Sequence, residues 1–458
     1  MLSNIRAVHF VGIGGSGMSA IAKVLLEKGY TVTGSDVTTT DTTNRLEKMG
    51  ATVYKGHDAC NVKGVDAVVV SSAIAERNAE LQAARALNIP IFHRADIIAG
   101  LMEHQKGIAV AGAHGKTTTT SMISLMLEKH GADPTIIIGG ELHDIGGNAK
   151  LGQGEYLVAE ADESDGSFLK LAPQIAVVTN IEDDHMDFYG TIENIVYAFK
   201  QFLQRTVNDG LAVLCADNEY VRMLAAELDK PFVTYALNHP ADYTVSNIRT
   251  KGVQSLFDVY YHGELLGEME LNVPGAHNIA NSLAAIAVGR HIGLTLAQIR
   301  SALQYFSGAK RRFQTKGEIE GIWIVDDYAH HPTEIRSTLL AAKQTLPERL
   351  IAVFQPHRFT RTKILKEEFG KAFAGADVIV LTDIYSAGEQ PIPGITGAVL
   401  AQEVEKQGGR GVVYIKGRED IPEYLYSIAQ AGDLIITMGA GNIWQAGEEL
   451  VEKLRARL

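Results

Sequence analysis

The chain has 458 residues, 46% of them hydrophobic and 21% charged, with a formal net charge of -12. That length suits about three domains of ordinary size, and the acidic balance excludes a surface that grips a nucleic-acid backbone, which needs clustered Lys and Arg. Cys60 and Cys215 stand far apart without metal-ligand spacing and no run approaches about 18 apolar residues, so a cytoplasmic protein without a membrane segment is expected.

Residues 7–11 predict a strand that runs into Gly12-Ile13-Gly14-Gly15-Ser16-Gly17, followed by a helix to residue 27 and a second strand over 30–34 that leads to Asp36. This is the GxGxxG fingerprint with its acidic residue about 20 positions on. Taken alone, it lets a phosphate approach a helix N-terminus without requiring a nicotinamide. Strands over 67–71 and 89–92 complete a Rossmann-like α/β domain, residues 1–105.

The next strand, residues 108–111, opens a second domain over 106–308 and enters Gly112-Ala113-His114-Gly115-Lys116-Thr117-Thr118, with a helix from 117 that Gly131 stops. The spacing is a shortened P-loop, since Val110 stands where GxxxxGK[ST] has its first glycine. Backbone N–H groups, the Lys116 ammonium and the Thr117 hydroxyl suit a nucleotide triphosphate with Mg²⁺. A strand over 156–159 delivers Glu160, Asp162, Glu163 and Asp165, and one over 175–179 delivers Asn180, Glu182, Asp183, Asp184 and His185. Ligands sit at such strand ends. Most of these acids read as a solvated loop, while one carboxylate and one imidazole with Thr117 make a magnesium shell. Residues 211–275 predict short strands and turns, after which Pro274-Gly275-Ala276-His277-Asn278 opens an alanine-rich helix. Asn278 can cap that helix or meet a base edge.

GAKRRF, residues 308–313, marks the third boundary. Strands over 322–325, 350–354, 378–382, 412–415 and 434–437 alternate with helix-length segments and predict a C-terminal α/β domain, residues 309–458. Its strand ends carry Asp326-Asp327-Tyr328-Ala329-His330-His331, then His357-Arg358-Phe359-Thr360-Arg361. The spacing of Arg358 and Arg361 can set two guanidiniums on one helical face for a carboxylate, the alternative being solvated helix arginines.

AGAHGKTTT, EADESDGSF, TNIEDDHMD, PGAHNIANSLAA, KRRFQ, DDYAHHPTE and FQPHRFTRT run from end to end in the order found in the Mur ligases, which the chain resembles. These are ATP-dependent amide-forming enzymes of peptidoglycan precursor assembly. GIGGSGMS and HHPTE resemble the members that attach L-alanine to UDP-N-acetylmuramate; relatives that reattach a recovered tripeptide typically differ in the opening glycine loop. The resemblance implies three domains: an N-terminal Rossmann-like one for the UDP-sugar, a central P-loop ATPase-like one with a mixed sheet, and a C-terminal Rossmann-like one for the amino acid. It implies Gly14, Gly15, Ser16 and Gly17 at the diphosphate with Asp36 by the nucleotide, Mg²⁺ on Thr117, Glu160 and His185, and His277 and Asn278 near the ATP base or ribose. It further implies Arg358 and Arg361 on the alanine carboxylate, His330 beside it and Asp327 near the amine, in a monomer or homodimer. Ala329 replaces the family's more usual glycine. Sister members carry a carbamylated lysine after the histidine; Lys200 has a comparable spacing, and a solvated helix lysine is the alternative. An NAD-dependent dehydrogenase would explain residues 12–36 alone, and a nucleotide-sensing module would leave the arginine pair idle.

Overall fold

The structure, a computed structural model, describes residues 5–142 and 145–457, apart from the side chain of Asp187. The strands are β1 Ala7–Val11, β2 Thr31–Asp36, β3 Thr52–Lys55, β4 Ala67–Val70, β5 Ile91–His93, β6 Lys106–Ala111, β7 Thr135–Leu142, β8 Gly147–Lys150, β9 Tyr156–Glu160, β10 Ile175–Val178 and β11 Leu211–Cys215. They continue as β12 Phe232–Tyr235, β13 Tyr243–Lys251, β14 Gln254–Tyr261, β15 Glu264–Leu271, β16 Gln314–Ile319, β17 Ile322–Asp327, β18 Arg349–Phe354, β19 Val378–Leu381, β20 Val412–Tyr414 and β21 Asp433–Met438. They form three sheets, ordered β3-β2-β1-β4-β5, β15-β14-β13-β12-β11-β10-β6-β9-β7-β8, and β16-β17-β21-β18-β19-β20.

The chain divides into two compact units, Met1–Ser246 with Asp258–Met269 and Ala280–Phe306, and Asn247–Phe257 with Glu270–Ile279 and Ser307–Leu458. In the first unit the first sheet is parallel throughout. β6, β9, β10 and β11 run parallel in the second, and β8 closes the edge antiparallel to β7. β6, β10 and β11 are short apolar runs, buried almost throughout, as strands covered on both faces must be. One apolar core runs through this unit, from Phe10 and Ile21 of the first sheet's layer to Ala109, Phe168 and Phe202 of the second.

In the second unit, β17, β21, β18, β19 and β20 are parallel, and β16 pairs antiparallel with β17. Apolar layers cover both faces of this sheet, one around Phe354, Phe369 and Phe373 and the other around Ile324, Ile421 and Leu450. The predicted strands all form, the first with its predicted ends and the others with ends shifted by at most two residues. β16 is a strand that apolar periodicity does not announce, because QTKGEI is largely polar and earns its place by edge pairing.

The first glycine loop is held down by β2. A Cβ at Gly34 would lie 2.6 Å from Ile13 Cδ1 and 2.9 Å from the Phe10 carbonyl oxygen. Gly34→Ala should therefore cost about 1–3 kcal/mol by overpacking. Gly15→Ala, whose nearest neighbour is 3.5 Å away, should change stability by less than about 0.5 kcal/mol. Urea denaturation of the two variants checks the contrast.

Candidate active site

The P-loop joins β6 to the helix Lys116–Lys129. Gly112 and Gly115 have φ of 137° and 83°, and a Cβ would lie 2.1 Å from Thr179 Oγ1 at the first and 2.6 Å from Asn281 Oδ1 at the second. Only glycine fits either place. The end of β10 pins the loop: Thr179 Oγ1 donates to the His114 carbonyl at 2.6 Å, Asn180 Nδ2 to the same oxygen at 3.0 Å, and His114 N to Asn180 Oδ1 at 2.9 Å. His114 Nε2 lies 3.3 Å from Glu182 Oε2. Thr118 is buried in the first helical turn.

Lys116 Nζ donates to Gly112 O at 2.5 Å, Ala113 O at 3.3 Å and Glu163 Oε1 at 2.7 Å. Burial works against its charge, but Glu163 and Asp162 outweigh that and hold the ammonium protonated. Glu163 is only 3% exposed, and its backbone carbonyl accepts from Tyr189 Oη at 2.6 Å. The acids after β9 are thus not a solvated loop. Asp162 pairs with Arg94, Glu163 with Lys116, and Asp165 lies 3.3 Å from His93 Nε2. Each partner comes from a distant part of the chain, so local polarity misleads here. Glu163 is the residue whose buried pairing with Lys116 local sequence does not reveal.

Of the three expected magnesium ligands, His185 lies against Glu163, while Thr117 and Glu160 meet the adjacent Gly140 and Gly139. Thr117 lies beside Gly140, where a Cβ would be 3.0 Å from its methyl. The Glu160 carboxylate accepts from Gly139 N at 2.8 Å. His185, at φ 58°, places Nε2 3.8 Å from Glu163 Oε1 and 3.6 Å from Asp184 Oδ2. Glu163 Oε2 is buried with no hydrogen-bond partner among the described residues. A buried, unsatisfied carboxylate oxygen, in a loop region that also offers a hydroxyl, a second carboxylate and an imidazole, fits a hard cation. Lys200, on the helix Ile192–Gln204, pairs with Glu227 at 2.7 Å, which favours the solvated lysine, since an ammonium held by a carboxylate stays protonated.

In the first sheet's loop, Gly14 N donates to Asp36 Oδ2 at 2.9 Å, so Asp36 clamps the loop itself. Gly15 precedes the helix Ser16–Glu27, whose N-terminus has no side-chain cap. Gly14 and Ser16 border a cavity of about 180 Å³ that Lys23, Arg45, Gly140 and Asn148 also line. Lys23 Nζ donates to Ala149 O at 2.6 Å, and Arg45 pairs with Glu141.

In the second unit, Asp327 ends β17 and accepts from Phe313 N and Ala329 N, both at 2.8 Å. Ala329 is fully buried and is not among the residues at positive φ, so its methyl brings no backbone strain. His330 Nδ1 lies 3.0 Å from Tyr328 O and 3.1 Å from Glu334 Oε2. The His330 ring meets His357 edge-on at 5.9 Å, and His357 stacks on Tyr385 at 5.8 Å. Arg361 Nη1 is 3.3 Å from His357 Nδ1. Arg358 departs from the expected shared helical face. It precedes the helix Phe359–Ile364 with φ 70° and ψ 138°, and its N–H donates to Tyr385 O at 2.9 Å. Such a backbone costs about 1–3 kcal/mol and persists where surroundings enforce it, commonly at functional sites.

Asn278 is no N-cap: it lies inside the helix Ala276–His291, and its amide donates to Pro274 O at 2.7 Å. His277 is exposed. The GAKRRF cations are partly internal. Arg311, at φ 60°, pairs with Asp326 at 2.8 Å and donates to Gly439 O at 2.5 Å.

Burial raises the Asp327 carboxyl to about 6, although Arg312 and the two N–H donors oppose it. Between pH about 4 and 6 the folded chain keeps a proton there that the unfolded chain has lost, so stability falls as pH rises through that window, by at most about 3 kcal/mol. The stability of wild type minus that of Asp327→Asn should shrink across it. Urea denaturation followed by fluorescence reads this unit, since Trp323 and Trp444 are the chain's two tryptophans.

Three family models match in succession: "Mur ligase family, catalytic domain" over residues 7–106, "Mur ligase middle domain" over 110–289 and "Mur ligase, glutamate ligase domain" over 311–441. The UDP-N-acetylmuramate–L-alanine ligase of Pelotomaculum thermopropionicum is 56% identical over 98% of both chains, and that of Geobacter sulfurreducens 52% over 99% of both. Among solved structures, the UDP-N-acetylmuramate-alanine ligase of Thermotoga maritima aligns over 99% of this chain and all of its own with a TM-score of 0.85 at 31% identity. A murein peptide ligase of Psychrobacter arcticus follows at 0.72 and 25% over 98% of each chain. With its three domain types matched in order and its full length shared with these relatives, the chain belongs to the Mur ligase family.

Proposed function

We propose that this chain is an ATP-dependent ligase that joins L-alanine to the lactyl carboxylate of UDP-N-acetylmuramate, the first amino-acid addition in peptidoglycan precursor synthesis. The observation that carries the reading is full-length identity above one half to proteins of that name. Residues 1–105 take the UDP-sugar, with Gly14, Gly15, Ser16 and Gly17 at the diphosphate; residues 106–308 take ATP; residues 309–458 take the amino acid. No helix among the described residues is long and apolar enough to cross a membrane, and a cytoplasmic enzyme acting on soluble substrates is in keeping with that.

A carboxylate acylates poorly until one of its oxygens becomes a good leaving group. A lactyl carboxylate oxygen therefore bonds to the γ-phosphorus as the bond to the ADP oxygen breaks. The alanine amine then attacks the acyl carbon, phosphate departs with the bonding electrons, and the amine proton is lost. Lys116 neutralises the oxygens of the phosphoryl group in flight, and most of the rate comes from such positioning and charge stabilisation. Thr117, Glu160 and His185 hold Mg²⁺, which when bound supplies further neutralisation of phosphate charge. Arg358 and Arg361 hold the alanine carboxylate, with His330 beside it and Asp327 toward the amine.

Phosphate release with UDP-N-acetylmuramate should occur with alanine and not with a tripeptide. Release with the tripeptide alone would assign the chain to peptide reattachment instead. Lys116→Ala should lower turnover by about a hundredfold to a thousandfold or more, and it also leaves Glu163 buried and unpaired, at about 3–5 kcal/mol. Adding Glu163→Gln should restore most of the stability and none of the turnover; recovered turnover in the double variant would refute the role of Lys116. Arg361→Lys should raise the alanine KM about tenfold or more while the ATP KM stays put, measured by coupled ADP release.

A further inference from the structure

Arg94 opens the helix Arg94–Met102 and joins two loops that the reading above gives to two substrates. On one side its Nη1 lies 2.8 Å from where a Cβ on Gly17 would stand, so the guanidinium fills the space a side chain would take at the first turn of Ser16–Glu27. On the other side its Nη2 pairs with Asp162, and Asp165 lies 4.0 Å away. Glu163, next in the chain after Asp162, is the partner of Lys116 at 2.7 Å. A glycine loop, an arginine, an acidic loop and the P-loop lysine thus form one unbroken series within the first unit.

The arginine is held for this place. His93 caps the same helix and lies 3.3 Å from Asp165, while Asp96 of its first turn pairs with Lys170 at 2.7 Å. Ser164 N donates to Asp162 Oδ1 at 3.0 Å, which fixes the carboxylate that receives the guanidinium. Arg94 Nε is buried with no hydrogen-bond partner among the described residues. A purely structural arginine gains nothing from a desolvated, unsatisfied donor. An anion at the Gly17 end, by contrast, would find a cation there together with the positive end of a helix.

We propose that Arg94 is a positioning residue that couples the two nucleotide loops: diphosphate at Gly14–Gly17 fixes the guanidinium, the guanidinium fixes residues 162–163, and adenine nucleotide then meets a Lys116 already in place. The coupling is positive and must be reciprocal, because linkage requires each ligand to raise the affinity for the other by the same factor. The inference rests on the reading of the glycine loop as the UDP-sugar site.

The test is calorimetric titration of the full chain with ADP and Mg²⁺, in the absence and presence of saturating UDP-N-acetylmuramate, and the reverse titration. Wild type should show tightening of about fivefold or more in both directions. Asp162→Asn, which leaves Arg94 and the glycine loop in place, should bring both ratios within about twofold of unity while each ligand alone still binds. Lys170→Ala, which cuts a neighbouring pair on the same helix, should keep the wild-type ratio. Absence of coupling in wild type, full coupling in Asp162→Asn, or equal loss in Lys170→Ala would each overturn the proposal. Gly15→Ala, whose added methyl meets nothing nearer than 3.5 Å and does not touch Arg94, tests the underlying reading separately: it should weaken UDP-sugar binding about tenfold or more with ADP binding alone retained, and unaltered sugar binding would sink the glycine-loop assignment whatever Arg94 does.

Discussion

A buried ammonium beside a buried carboxylate sets the terms for the first unit. Lys116 and Glu163 are both largely withdrawn from water, and removing two charges from solvent is costly unless geometry and further hydrogen bonds compensate. Compensation comes from parallel strands that end at one level. β6 pairs with β10 on one side and β9 on the other, in registers that bring Ala111 beside Val178 and Val110 beside Glu160. Two loop carbonyls and the Glu163 carboxylate therefore reach the lysine, while Asn180 clamps the same loop at His114. A charge kept largely from water in this way would act on an anion brought to it far more strongly than the same charge in solution.

In the proposed function the second unit meets a different demand, recognition of a small zwitterion, with similar means. Asp327, His330 and the Arg358–Arg361 segment all stand at or just beyond the C-terminal ends of parallel strands in one sheet. The strained Arg358 backbone is held by the segment after β19, where Tyr385 accepts its N–H and stacks on His357, and Glu389 receives Thr360 N and Oγ1 at 3.0 and 2.6 Å. The sequence separation across these bonds explains why the arginines look like ordinary helix residues until the fold is known.

Local signals carried much of the fold. Apolar runs ending in glycine announced β1, β6 and their helices to within two residues, because buried parallel strands and glycine turns leave marks on neighbouring positions. The ordered motifs placed the three domain types. What stayed hidden was non-local: β16 pairs through its edge, Asp36 clamps Gly14 from the end of β2, and the acids at 162–165 look solvated until Arg94, Lys116 and His93 arrive from elsewhere. Nothing about a lone arginine at position 94 marks it, since its partners stand near positions 17 and 162.

In the proposed function the lactyl carboxylate is activated by phosphoryl transfer within the site that Lys116 and Glu163 define. The most direct test is one turnover with UDP-N-acetylmuramate labelled with oxygen-18 in that carboxylate, followed by mass analysis of the phosphate and the amide. The released phosphate should carry one labelled oxygen, with the other kept in the amide carbonyl. Phosphate free of label would rule out an acyl phosphate.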